Sequence, residues 1–212
     1  MISITLVDLH GSLIEAAQKI GWDDITLRGW TDIRNIDVMP GMAFVSPANS
    51  LGFMDGGIDY VLSRIMFPNI ESKVKEAFAS KRFKTLLGRP YLPIGKAVTV
   101  QTQHPDVFLI AAPTMWLPQD VRGTHNAYHA MYAILEEASK QPNINHIVLC
   151  GLCTGCGMMD AITAIQQMHQ AHLDFKSKLP PKYDANQIVE EQPCVYMNTE
   201  FKSMYASNVK HV

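Results

Sequence analysis

Two glycine-rich stretches carry the residues best suited to chemistry. The first is Ser50-Leu51-Gly52-Phe53-Met54-Asp55-Gly56-Gly57-Ile58 and the second Gly151-Leu152-Cys153-Thr154-Gly155-Cys156-Gly157; each follows a short apolar run and precedes a helical pattern. Glycine lacks a Cβ, so backbone N–H groups can close on a phosphate with no side chain between. A helix N-terminus adds unpaired N–H groups and the positive end of a dipole. Two such loops at the carboxyl ends of strands in an open α/β sheet would grip a diphosphate from both sides. For either loop alone, glycines that merely permit a tight turn are the alternative.

Other side chains suggest different chemistry. Cys150, Cys153 and Cys156 are spaced as ligands of an iron–sulfur cluster or zinc, with Cys194 as a fourth. Cys150, however, closes an apolar run, where a free cysteine is usually a small buried hydrophobe, so no metal is expected. His169 and His172 lie three apart on one helical pattern, a spacing that can chelate a metal but more often faces solvent. None of the eight histidines forms an H-E-x-x-H pair. Ser46 and Ser50 lack a nucleophile elbow, which argues against a serine hydrolase. Met115, Trp116 and Leu117, between Pro113 and Pro118, form either an apolar rim over a crevice or ordinary loop packing.

The composition restricts what such residues can serve. With 212 residues and 47% of them apolar, the chain supports one domain with a full core. Its 18 Lys+Arg against 20 Asp+Glu leave a net charge of −2, so no summed field recruits nucleic acid in bulk or anionic membranes. No run reaches the roughly 20 apolar residues needed to span a bilayer. Four cysteines and a start without a basic segment ahead of an apolar run point to a cytoplasmic compartment.

The elements that must position the loops alternate between strand and helix patterns, the signature of α/β layering. Strands are expected at Ile2 to Val7, Ile25 to Arg28, Gly41 to Pro47, Lys96 to Gln101, Val107 to Ala112, Ile147 to Cys150 and Cys194 to Met197. Helices are expected at Ser12 to Ile20, Ile58 to Met66, Asn69 to Lys81, His125 to Lys140 and Asp160 to Phe175. Ser12 and Glu15 have the spacing of a capping box. Lys176 to Gln192, with Pro180-Pro181, reads as a surface excursion.

Taken together, the motifs resemble the macro domain family, ADP-ribose-binding and Appr-1''-p processing-like proteins. The likeness runs from about Ile25 to Met204. Thr31-Asp32-Ile33 resembles the family's Gly-Asp-Ile, and Ser46-Pro47-Ala48-Asn49 its Asn-Ala-Ala-Asn. Asp55-Gly56-Gly57-Ile58-Asp59 resembles its glycine run followed by Val-Asp. Pro93-Ile94-Gly95-Lys96-Ala97 corresponds to its Gly-Glu-Ala, and Thr154-Gly155-Cys156-Gly157 to its second phosphate loop, one residue tighter. The chain departs from the family at Thr31 and Ser46, and at Phe53-Met54-Asp55, where Asp55 places a negative charge near the expected phosphates.

The resemblance implies a three-layer α/β/α macro-like fold with a mixed central sheet. It implies one domain over 1–212, with a core of about 22–205, an N-terminal βα addition and the excursion 176–192. Asp32, with Ile33 beside it, would accept a hydrogen bond from the adenine amino group, and Asn49 would contact the distal ribose. Gly56, Gly57, Ile58 and Thr154, Gly155, Cys156, Gly157 would cradle the diphosphate. Asp59 would position a water at the distal ribose, unless it only favours the helix start electrostatically. In the final strand, Tyr196 or Asn198 would approach the adenine.

The implied function is binding of ADP-ribose or a derivative with hydrolysis of an ester or glycosidic bond at the distal ribose. Substrates would be ADP-ribosylated protein or nucleic-acid ends, O-acetyl-ADP-ribose or ADP-ribose phosphate, and no cofactor is needed. The alternative is a non-catalytic ADP-ribose reader or sequestering module. A Rossmann-like nucleotide binder is a third reading, but its G-x-G-x-x-G fingerprint is absent after the first strand.

Overall fold

In a computed structural model describing residues 2–182, the β-branched and apolar runs become six strands: β1 (Ser3–Asp8), β2 (Thr26–Gly29), β3 (Met42–Ser46), β4 (Val98–Gln101), β5 (Phe108–Ala111) and β6 (His146–Leu149). They form one sheet in the order β2-β1-β6-β3-β5-β4. Every neighbouring pair is parallel except β4 with β5, which the turn at 104–106 joins in antiparallel register, Val98 facing Ala111 and Gln101 facing Phe108.

Alternation along each strand divides the core in two. Ala43, Val45, Ile110, Ile147 and Leu149 point to one face, packed under α1 (Ser12–Lys19), α4 (Asn126–Ser139) and α5 (Ala161–Lys176). Phe44, Leu109, Ala111 and Val148 point to the other, against Leu62, Phe67 and the buried stripe Ile70, Val74 and Phe78 of α3 (Ile70–Ala79). This is the expected α/β/α sandwich with a mixed sheet.

The βα unit read as an N-terminal addition supplies an interior strand: β1 is paired on both edges, to β2 and to β6. The capping box expected of Ser12 and Glu15 does not form. The N-cap of α1 is Gly11, at φ 81°, with no side-chain cap. Its role falls to Asp8, whose carboxylate accepts from the Leu13 N–H at 2.8 Å and the His10 N–H at 3.2 Å. The carboxylate arriving from the preceding strand takes the Leu13 N–H, one of the orphan groups of the first turn, and the Ser12 hydroxyl donates to it instead of capping the helix.

The helix expected over 58–66 also changes character. A single α-turn, α2 (Gly57–Tyr60), widens into a π-helical stretch, Val61–Met66, closed by the Phe67 N–H on the Leu62 carbonyl. Pro68 and left-handed Asn69 (φ 68°) then separate it from α3.

His169 and His172, expected to face solvent, instead pack on Trp22. The Trp22 ring is stacked with His169 at 5.3 Å and donates its Nε1–H to His172 Nδ1 at 3.1 Å. After α5 the chain stays tied down: Tyr132 Oη donates to the Leu179 carbonyl, and the Lys182 N–H donates to Tyr128 Oη, which itself donates to buried Asp174. The strand at Cys194 to Met197, with Tyr196 and Asn198, and the remainder of the 176–192 excursion lie outside the described residues.

Candidate functional site

A cavity of about 480 Å3 opens at the carboxyl ends of β1, β3 and β6. Its size suits a small-molecule ligand, for which pockets of roughly 300–1,000 Å3 are usual. Asp32, Ile33, Asn49, Gly56, Gly57, Ile58, Asp59, Thr154, Gly155 and Cys156 all lie on its wall. Gly157, assigned from sequence to the same phosphate loop, does not. A Cβ there would stand 2.4 Å from the Cys153 carbonyl oxygen and 2.8 Å from Val121, so this glycine lets two stretches of backbone pass each other.

The first loop, residues 47–56, leaves β3 at Ser46 and is organised by Asn49. The Asn49 side-chain Oδ1 accepts from the Leu51 N–H at 3.0 Å and the Phe53 N–H at 3.3 Å, while its Nδ2 donates to the Phe53 carbonyl. Thus the side chain expected to meet a ribose is largely committed to shaping the loop. At the loop's end Gly56 and Gly57 have open space where a Cβ would sit, and Gly57 takes φ 54°. The orphan N–H groups of the helix start that follows belong to residues on the cavity wall.

Asp59 lies one turn further on. Ser46, fully buried at the end of β3, donates its Oγ–H to Asp59 Oδ1 at 2.7 Å. Burial of the carboxyl, with smaller repulsion from Asp55 and Glu71, outweighs that hydrogen bond and raises the Asp59 pKa to about 7. A carboxyl titrating near neutrality exchanges protons readily with a bound water or hydroxyl. Asp55, a departure from the family pattern, is exposed on the rim, where its charge adds to this effect.

The second loop differs from expectation in one respect. It does not lead directly into a helix, because α5 begins only at Ala161 and its first N–H groups are capped by Asp160, which accepts from Thr163. The cavity therefore meets the loop's own backbone rather than the end of α5. Left-handed Cys153 (φ 66°) and Met158 (φ 56°) bend this backbone, a conformation that costs non-glycine residues energy and concentrates at functional sites. At Gly151 a Cβ would approach Thr154 Oγ1 to 2.5 Å and Leu13 Cδ1 to 2.7 Å, so both of these side chains would have to turn aside to admit one.

At the opposite end, Asp32 caps a 3-10 turn, Ile33–Asn35, and accepts from both the backbone and the guanidinium of Arg34. The Arg34 side chain hydrogen-bonded to it holds its carboxyl below the usual range. It remains an anion, but each Oδ already accepts two hydrogen bonds from Arg34, so a further donor at this site has to share these oxygens with it.

Of the three described cysteines, Cys150 is half-buried and Cys153 buried, while Cys156 is exposed; all are free. Burial, with Asp8 and Asp32 nearby, pushes the Cys150 thiol up to about 12. Among the described residues no three His, Cys, Asp or Glu side chains converge as metal ligands. Met115 and Pro118 line the cavity, whereas Trp116 turns against Tyr91 at 5.1 Å.

Sequence reasoning missed the wall supplied by the β1–α1 turn: Asp8, Leu9, His10 and Leu13. The signal was present, since Asp8-Leu9-His10-Gly11-Ser12 follows an apolar strand and precedes a helix, as the other two loops do.

Comparison with known proteins agrees with this architecture. The family model described as Macro domain matches residues 45–168. The macrodomain of Mycobacterium tuberculosis DarG superposes with a TM-score of 0.53 at 20% identity, over 73% of this chain and 90% of that one. A mutant macrodomain of Oceanobacillus iheyensis with ADPR gives a TM-score of 0.53 at 15% identity, over 68% and 74%. Among curated proteins no match is found. With more than half of its length matched by the family model, the chain belongs to the macro domain family.

Proposed function

We propose that this chain binds ADP-ribose or an ADP-ribose derivative and hydrolyses a bond at its distal ribose. The observation carrying the catalytic half is the Asp59 carboxyl, hydrogen-bonded to Ser46 and raised toward neutrality beside two glycine loops on one cavity.

The diphosphate lies between residues 56–58 and 154–156, held by backbone N–H groups. This suits a cavity whose wall, among the described residues, includes Asp8, Asp32, Asp55 and Asp59 but no lysine or arginine, because amide dipoles bind an anion without needing a compensating cation. Asp32 accepts from the adenine amino group. Asp59 takes a proton from a water as its oxygen attacks the anomeric carbon, and the bond to the leaving oxygen breaks. The proton then returns to that oxygen or to solvent, so Asp59 ends the cycle as it began.

A non-catalytic reader is the second reading, favoured by the commitment of the Asn49 amide to its own loop. Calorimetric titration with ADP-ribose, followed by turnover of an ADP-ribosylated peptide by wild type and Asp59→Ala, separates the two. Binding with turnover that Asp59→Ala lowers at least tenfold is the expected outcome, as roughly expected for loss of a general base. Binding without turnover in either chain supports the reader, and no binding at millimolar ligand removes both readings.

A further inference from the structure

Away from the cavity, the chain's charge is strongly segregated. Residues 77–105 contain Lys81, Arg82, Lys84, Arg89 and Lys96 and not one Asp or Glu, within a protein whose net charge is −2. At the centre of this stretch Leu86 and Leu87 are fully exposed, at 107% and 97%.

That exposure is built into the backbone. Lys84 and Pro90 form an antiparallel bridge. Inside it the Thr85 N–H donates to the Arg89 carbonyl at 2.9 Å, the Gly88 N–H to the Thr85 carbonyl at 2.8 Å, and the Arg89 N–H to Thr85 Oγ1 at 3.0 Å. Gly88 at φ 77° completes the turn. The base is anchored as well: the Tyr91 N–H bonds the Phe83 carbonyl, and the Leu92 N–H bonds Ser50 in the first cavity loop. A closed hairpin thus holds two leucines at its apex, with exposed Lys81, Arg82, Lys84 and Arg89 around and below them.

We infer that the 81–90 hairpin is a docking element for an anionic lipid surface, with Leu86 and Leu87 entering the acyl boundary and the surrounding cations meeting the headgroups. The shape selects this partner. An apolar apex on a basic collar matches the layering of a bilayer interface, where hydrocarbon lies beneath phosphate. A phosphate backbone would use the cations but gain nothing from an aliphatic tip. Interfacial binding grows with buried apolar area plus electrostatic attraction to anionic lipids, and this hairpin offers both in one element. Among the described residues no helix is long and apolar enough to cross a membrane. Through Leu92 and Ser50, and through Arg89 lying 5.1 Å from the ring of Phe53 on the cavity wall, docking places the ligand cavity close to the lipid.

The test is co-sedimentation of the full chain with phosphatidylcholine vesicles containing about 30% phosphatidylserine, alongside vesicles of phosphatidylcholine alone. Binding to the anionic vesicles alone, weakening as salt rises, is expected. Leu86→Ser combined with Leu87→Ser, and separately Arg82→Glu combined with Lys84→Glu, should each lower the partition coefficient about tenfold. Unchanged melting temperatures would establish that both variants fold. The inference is overturned if the wild type ignores anionic vesicles at low salt, or if the leucine variant binds them as the wild type does. It is equally overturned if light scattering shows the leucines instead hold a dimer that Ser substitution dissolves, or if the hairpin cations bind single-stranded nucleic acid in preference to vesicles. Vesicle binding is read without ADP-ribose, so its failure leaves the proposed activity untouched.

Discussion

Ser46 Oγ donates a 2.7 Å hydrogen bond to Asp59 Oδ1 across the seam between the end of β3 and the first turn of α2. It is the main favourable contact of a carboxyl that burial otherwise pushes toward its neutral form. Two opposing effects therefore set when Asp59 is charged, and one of them can be removed with a single atom.

If Asp59 acts as the base, kcat/KM for an ADP-ribosylated substrate rises with pH along a limb whose apparent pKa is about 7. Ser46→Ala deletes the donor that favours the charged form, so the limb should move to higher pH by about one unit. Ser46→Thr, which keeps the hydroxyl, should restore it. A limb that stays in place in Ser46→Ala would show that the titrating group is not Asp59.

The same pKa has a consequence for stability. The folded-state value of about 7 lies above the ordinary 3.8; stability linked to this group is therefore fully present below pH 3.8 and lost as pH rises through 7. Asp59→Asn, which never ionises, should match the wild type near pH 4 and exceed it at pH 8 by on the order of 1–3 kcal/mol. Urea unfolding at the two pH values measures this. Equal stabilities at pH 8 would mean that the carboxylate is well solvated in the folded protein.

Gly155 and Gly157 should respond in opposite ways to the same substitution. A Cβ at Gly155 meets nothing within 4 Å, whereas one at Gly157 strikes the Cys153 carbonyl. Gly155→Ala should leave stability within about 0.5 kcal/mol of the wild type while weakening ADP-ribose by placing a methyl on the cavity wall. Gly157→Ala should cost roughly 2–3 kcal/mol, because backbone cannot yield as a flexible side chain does. Thermal denaturation with and without ADP-ribose distinguishes the two effects.

The architecture was legible in the sequence because its signals are local. Residues such as Ala43-Phe44-Val45 and Ile147-Val148-Leu149 are apolar on both faces, the mark of strands covered by helices on each side. The two glycine loops were legible because glycine marks a backbone requirement directly. Contacts between distant residues left no such mark. Nothing near Ser46 announces that its hydroxyl will meet Asp59, and nothing in Ser12 or Glu15 reveals that Asp8 reaches the Leu13 N–H first. The widening of Val61–Met66 into a π-turn is equally hidden, since its apolar spacing also fits an α-helix.

The Trp22 and His172 pair, 150 residues apart in sequence, yields an acid-sensitivity prediction. His172 Nδ1 must be unprotonated to accept the indole N–H, and Asp24 lies 3.8 Å from that nitrogen, with Lys176 bridging to Asp24 and His169 on the adjacent turn. Burial dominates, with Lys176 and His169 adding to it against the attraction of Asp24, and His172 titrates below its ordinary 6.5. A depressed histidine stabilises the fold above pH 6.5, and that contribution is lost as pH falls through the folded value. His129, lowered to about 4 by burial, acts in the same direction. His172→Phe should remove part of the acid limb of a stability profile below pH 6.5. At pH 7.5 it should cost about 1–3 kcal/mol, because the Trp22 N–H loses its acceptor in a buried site. An unchanged acid limb in His172→Phe would place the acid sensitivity elsewhere, with His129 the next group to substitute.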